Sequence, residues 1–235
     1  MKVGLIQTRT PATHAAALAH VLPLIREAAA GGAGFVATPE GTNILQRDRA
    51  VLLPQLRTLG EDPVVQGLRE TARELSIWLL VGSALIRRED GKAANRSLLI
   101  APDGAVAATY DKLHMFDVDL PTGESPRESA AYEPGDRAVA VEAGDLKLGL
   151  TVCYDMRFPA LYRAPGAGRR RSDDRAVRLH PADRRGPLGG AAQVARHRDR
   201  QLRPGPGPGR IPRGRPRHLG PDDRRRTVGR GAGRA

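Results

Sequence analysis

Apolar and polar positions alternate with two different periods along the first two thirds of the chain. Residues 3–7 form a short apolar run and read as a buried strand. From 13 to about 30, Ala17, Val21, Leu24 and Ile25 fall on one broad face, which predicts a helix that Pro23 weakens. The glycines within 31–34 end it, and 35–38 predicts a second strand that leaves Glu40 just past its C-terminal end. A further helix is predicted over 63–75, followed by an apolar strand over 77–81. Strands over 97–101 and 105–110 flank Pro102-Asp103-Gly104, a hairpin signal, and Lys112 follows the second of them. Two more strands are predicted over 138–142 and 146–152, the latter running straight into Cys153. Early alternation of helices and strands, with a hairpin after it, predicts an α/β fold with a mixed sheet covered by helices. Glu40, Lys112 and Cys153 each stand at a predicted strand exit, where such a sheet can gather distant positions into one crevice.

This patterning stops near residue 164, and composition changes with it. Residues 1–164 carry 18 basic and 20 acidic side chains; by difference from the chain totals of 38 and 26, residues 165–235 carry 20 and 6. The net charge of +12 is therefore entirely a property of 165–235, where every basic side chain is Arg. All eight aromatic residues precede the break. A stretch rich in Arg, Gly and Pro, without aromatics or a sustained period, is not expected to bury a core and is expected to be disordered. The domain division expected is thus 1–164 and 165–235. Cys153 is the only cysteine, which excludes an intrachain disulfide and a cysteine-based zinc cluster, and the six histidines show no metal-ligand spacing. No apolar run is long enough to cross a bilayer, and Met1-Lys2-Val3-Gly4-Leu5-Ile6 starts as a strand without the apolar stretch of a signal peptide. A reducing cytoplasm is the expected compartment.

The chemistry concentrates in a few positions. Cys153, where an apolar strand meets a turn and then a helix, has the setting of a rigidly held thiol whose pKa turn N–H groups lower. Glu40 is a candidate general base, and Lys112 a fixed positive charge beside a developing oxyanion. Glu128 is a candidate second carboxylate that orients Lys112. Each has a plain alternative when taken singly: an inert core thiol, a solvated loop carboxylate, a surface lysine, a loop salt bridge. His114 adjoins Lys112, and a supporting or surface role is expected for it.

Together the segments are more specific. TPEGTN around Glu40, YDKLHMFDVDLP around Lys112, the stretch from Arg127 to Asp136, and LTVCYDMRFPALYR around Cys153 resemble the nitrilase superfamily of carbon–nitrogen hydrolases in order and spacing. The resemblance covers residues 1 to about 164 and is strongest to the branch holding omega-amidases and deaminated-glutathione amidases. It implies an αββα sandwich, incomplete in this chain, a Glu-Lys-Cys site without a cofactor, and homodimers whose contacts are expected to be lost here. It also implies roles. Cys153 attacks an amide carbonyl of a small carboxylated substrate, Glu40 moves the proton, and Lys112 with the Tyr154 backbone N–H steadies the oxyanion. Glu128 supports them, and Arg157 shapes the substrate pocket. N-carbamoyl amino-acid hydrolysis and nitrile hydrolysis share these positions and stay open.

Beyond Arg163 the family pattern ends. One reading is an Arg-rich extension that contacts nucleic acid electrostatically. The reading favoured is a shifted reading frame: joining the last two bases of each codon to the first of the next makes Arg196–Pro208, RHRDRQLRPGPGP, compatible with AIETGSFVLAPAQ. Such strings resemble the family's second half in the right order. A chain lacking that half is expected to be poorly folded and inactive.

Overall fold

The computed structural model describes residues 1–167 and two short strands beyond them, with side chains described up to Arg163. In chain order the elements are β1 (Val3–Leu5), α1 (His14–Ala30), β2 (Phe35–Thr38), α2 (Arg49–Leu52) and α3 (Pro63–Leu75). Then come β3 (Trp78–Arg87), β4 (Ala93–Ile100), β5 (Val106–Asp111), β6 (Arg137–Ala138), β7 (Ala140–Ala143) and β8 (Leu146–Gly149). α4 (Pro159–Ala167), β9 (Val177–Arg178) and β10 (Ala195–Arg196) complete them. The expectation of a disordered, out-of-frame stretch over 165–235 falls almost wholly outside the described residues.

Local chemistry sets the boundaries. Thr13 caps α1, its hydroxyl accepting from Ala16 N–H at 3.4 Å. α3 begins with Pro63 at its first position, and the buried Asp62 carboxylate accepts from Val64 and Val65 N–H at 3.0 and 2.9 Å. It ends at Ser76, in the left-handed conformation at φ 52°.

β1 to β5 form one mixed sheet in the order β1-β2-β3-β4-β5, parallel through β3 and antiparallel from β3 to β5. Side chains alternate between two cores, as the pleat requires. Val36, Leu79, Val81, Leu98 and Ile100 pack with α1 and α3 residues such as Val21, Ile25, Val64 and Leu68. Phe35, Ala37, Leu80 and Leu99 face the other way, into a core with Leu148, Leu150, Val152 and Leu161. Burial on both faces explains why β2 and the middle of β3 are continuous apolar runs.

The sequence reading differs from the structure in a few places. β3 runs ten residues, well past the predicted end at 81, and β4 starts at Ala93, four residues before the predicted start. The predicted strand 138–142 is two pieces interrupted at Val139, and the strand expected over 146–152 ends at Gly149. Residues 150–152 remain an apolar approach to Cys153, held by Leu150 N–H donating to Val139 O at 3.0 Å.

Candidate active site

Glu40 reaches the site by crossing a neighbouring strand. Directly after β2, Pro39 passes over β3 at Gly82, where a Cβ would stand 2.3 Å from Thr38 O and 2.7 Å from the Pro39 carbonyl carbon. No side chain fits there. β3 is irregular at this point, its register shifting between Val81 and Ala84. Ser83 fixes the crossing: its N–H donates to Pro39 O at 3.2 Å and its carbonyl accepts from Thr42 N–H at 2.8 Å. Its hydroxyl accepts from Gly41 N–H at 2.9 Å. Having crossed β3, Glu40 meets Asn95 on β4, whose Nδ2 donates to Glu40 Oε1 at 2.7 Å.

Strand direction delivers Lys112 to the same place. β2, β3 and β5 run one way and β4 the other, so the exits of β2 and β5 lie at the end where β4 starts. Lys112 N–H donates to Asn95 O at 2.9 Å. Its ammonium, 2 % exposed, donates to Glu128 Oε1 and Oε2 at 2.9 and 2.7 Å and lies 3.6 Å from Glu40 Oε1. Glu128 opens a single 3-10 turn, Glu128–Ala130, and accepts from Phe116 N–H at 2.7 Å. The second glycine that matters is Gly135, whose added Cβ would stand 2.3 Å from Asp111 O, so the returning chain can press against the Lys112 segment.

Cys153 opens a 3-10 turn, Cys153–Arg157, with φ 49°. Only Ser76 shares that left-handed region among the described non-glycine residues, and a side chain held there is a sign of an imposed conformation. The thiol is partly buried and lies within reach of the Glu40 charge. Burial, then the Glu40 charge, pushes its pKa up from 9.0 to about 12, against the lowering effect of Lys112. The expectation that turn N–H groups lower it is therefore corrected: burial chiefly, and then two carboxylates against one ammonium, disfavour a thiolate. Lys112 behaves in the opposite sense. Burial works against its charge, but Glu128 and Glu40 outweigh it and hold the ammonium above the ordinary lysine value. The arrangement suits a neutral thiol that gives its proton to Glu40 as it attacks.

Glu40, Lys112, Glu128 and Cys153 thus converge, from segments far apart in sequence. Tyr154 lies behind them, its buried ring edge-on to Phe116 and Phe158 at 5.2 and 5.5 Å. Arg157 is exposed at the end of the turn. His114 is buried and stacked on Phe158, which rules out the surface role expected as one alternative. Sequence reasoning missed Asn95 and Tyr132. Asn95 is a buried polar residue within a strand, which is the one signal available for it. Tyr132 is a half-buried phenol, raised to about 12 by burial and then by the charge of Glu128. A shallow cavity of about 390 Å³ opens beside Glu40, and Arg9 and Arg47 stand in its wall with Thr8, Thr10 and Leu45. Among the described residues there is no cluster that would hold a metal ion, and no helix is long and apolar enough to cross a membrane.

Known proteins share this chain's sequence pattern and fold. The carbon–nitrogen hydrolase family model matches residues 2–170. A deaminated glutathione amidase of Yersinia enterocolitica is 38 % identical over 136 residues, covering 57 % of this chain and 47 % of its own length. The omega-amidase of Homo sapiens is 35 % identical over 161 residues, covering 68 % and 57 %. The chain therefore spans about half the length of the curated relatives it matches. Among solved structures, an amidase of Nesterenkonia sp. AN1, from the nitrilase superfamily, superposes with a TM-score of 0.56 at 27 % identity. That match covers 70 % of this chain and 61 % of the other. In that structure a mutant with glutamine for glutamate carries acrylamide added to the active-site cysteine.

Proposed function

From a chain that belongs to the carbon–nitrogen hydrolase family, we propose a thiol amidase acting on the amide of a small carboxylated substrate through Glu40, Lys112, Glu128 and Cys153. One observation carries the reading: a thiol in a left-handed turn, beside a carboxylate that itself lies 3.6 Å from a buried lysine. Cys153 Sγ attacks the amide carbon as its proton passes to Glu40. Lys112 faces the oxygen on which negative charge develops, and Glu128 keeps that ammonium in place. Glu40 then gives the proton to the departing nitrogen, the C–N bond breaks, and a thioester remains on Cys153. Water, deprotonated by Glu40, releases the acid and restores the thiol. The similarity to omega-amidases and deaminated glutathione amidases supports an ω-amide as substrate, and Arg9 and Arg47 beside Glu40 suit its carboxylate. A reducing cytoplasm would keep the single thiol free.

We further propose that residues from about 165 onward are the family's remaining half read in a shifted frame, and that turnover needs that half. Two measurements test this. The gene is resequenced around the codons for residues 163–171; stop codons throughout the alternative frame would falsify the shift. The frame-restored protein is then assayed with ω-amides of dicarboxylic acids, N-carbamoyl amino acids and nitriles. Ammonia release from the ω-amides, absent in Cys153→Ala and absent from the 235-residue chain, is the expected result. Preference for a nitrile or a carbamoyl compound would replace the substrate assignment.

A further inference from the structure

Asp155 is fully buried, two residues beyond Cys153, and its carboxylate bonds to both segments that carry the reacting groups. Oδ2 accepts from the Tyr110 hydroxyl at 2.6 Å and from Val152 N–H at 2.9 Å. Oδ1 accepts from His114 N–H at 3.0 Å and meets His114 Nδ1 at 2.6 Å. Tyr110 and His114 bracket Lys112 by two residues on either side, and Val152 immediately precedes Cys153. The Tyr110 hydroxyl also accepts from Leu113 N–H at 3.3 Å. The His114 ring lies on Phe158 with centroids 3.5 Å apart and planes 10° from parallel, so the imidazole has little freedom to turn. These four bonds satisfy both carboxylate oxygens without any contact to a reacting atom.

We propose that Asp155 is a positioning residue which, through Tyr110 and His114, sets the spacing between the Lys112 ammonium and the Cys153 thiol. A non-glycine residue stays in the left-handed region only where its surroundings over-determine it. At the start of the Cys153 turn Asp155 N–H donates to Val152 O at 3.1 Å, and the same residue's side chain bonds back to Val152 N–H. The other end of that carboxylate is anchored on the Lys112 segment. Rotation of the turn would therefore break bonds to a strand exit far away in sequence, and the two segments can move only together. The proposal rests on the amide-hydrolysis reading only in taking Lys112 and Cys153 as the reacting pair.

The single cysteine makes a direct test available. Glu40, Lys112 and Glu128 are the charged groups acting on the thiol, and of these only Lys112 favours the thiolate. The alkylation rate with iodoacetamide at pH 8 is measured on the full chain, on Lys112→Met, on Asp155→Asn and on the double variant. Lys112→Met is expected to slow alkylation about tenfold in the parent, the effect of about one pKa unit. In the Asp155→Asn background the same change is expected to slow it by less than about twofold, because the ammonium no longer faces the sulfur. An equal Lys112 effect in both backgrounds overturns the proposal, since a carboxylate that merely stabilises the fold leaves the coupling intact. No Lys112 effect in the parent overturns it as well. If Asp155→Asn loses its near-ultraviolet circular dichroism, Tyr110→Phe, which removes one of the four bonds, takes its place; an undiminished Lys112 effect there is again fatal. Absence of amide turnover in the frame-restored protein, with the coupling present, would instead count against the function and leave the positioning role standing.

Discussion

Glu40 raises the pKa of the thiol whose proton it is proposed to take, and this pairing makes opposite demands on reactivity and turnover. Glu40→Gln removes the charge that opposes the thiolate but also removes the base. Alkylation of Cys153 at pH 8 is therefore expected to speed up about tenfold, while amide turnover of the frame-restored protein falls by at least about a hundredfold. Slower alkylation in Glu40→Gln would show that the carboxylate activates the sulfur in the resting state, contrary to this account. The acrylamide adduct in the glutamine mutant of the Nesterenkonia amidase shows that a cysteine in that protein reacts with an electrophile when the glutamate is gone. Arg9 and Arg47 make a separate claim on binding. Neutralising both is expected to raise KM for an ω-amide about tenfold or more with little change in kcat, if the cavity they line beside Glu40 takes the substrate's carboxylate as proposed.

Single elements place these residues, and two of them can be tested by substitution. Gly82→Ala puts a methyl group where Thr38 O and the Pro39 backbone already lie, so either the Glu40 crossing or β3 must move. A loss of about 3 kcal/mol in urea denaturation is expected, together with loss of the Glu40 effect on alkylation. Asp62 governs the start of α3. Burial raises its pKa, but His14, the Val65 N–H and Asn43 outweigh this and hold it below 3.8. His14 Nε2 stands 3.2 Å from Asp62 Oδ2. A carboxyl depressed by folding contributes stability that is present above about pH 3.8 and is lost as pH falls through the folded value. Asp62→Ala is expected to cost about 2 kcal/mol at pH 7, and the difference from the parent should narrow at pH 3. What the sequence made legible follows from the same physics. β2 and α3 were bounded to the residue because an apolar run between Gly34 and Pro39, and an Asp-Pro start with a helical period, are local signals. Asn95 and the Gly82 crossing were not, because each acts on a residue that is remote in sequence and adjacent only across the sheet. Lys112 and Cys153 were found by motif, whereas the sign of the thiol's pKa shift needed the positions of three charges at once.

The five-stranded sheet ends, among the described residues, in an open edge. Among the described residues β1 pairs only with β2, and Leu5 on it is 74 % exposed. An edge strand carrying a bare leucine is a template for association. Leu5→Lys is expected to reduce light scattering of the 235-residue chain at elevated temperature without changing its alkylation rate, because Leu5 touches none of the reacting groups. Equal scattering from parent and variant would move the association site elsewhere. The raised pKa of Cys153 has a consequence for the lifetime of the protein. Peroxide attacks the thiolate form of cysteine, which burial and then the Glu40 charge disfavour at Cys153. A nucleophile that surrenders its proton only when a substrate arrives is one that oxygen chemistry seldom finds ionised, so slow sulfenic acid formation with peroxide is the expected outcome for the resting thiol.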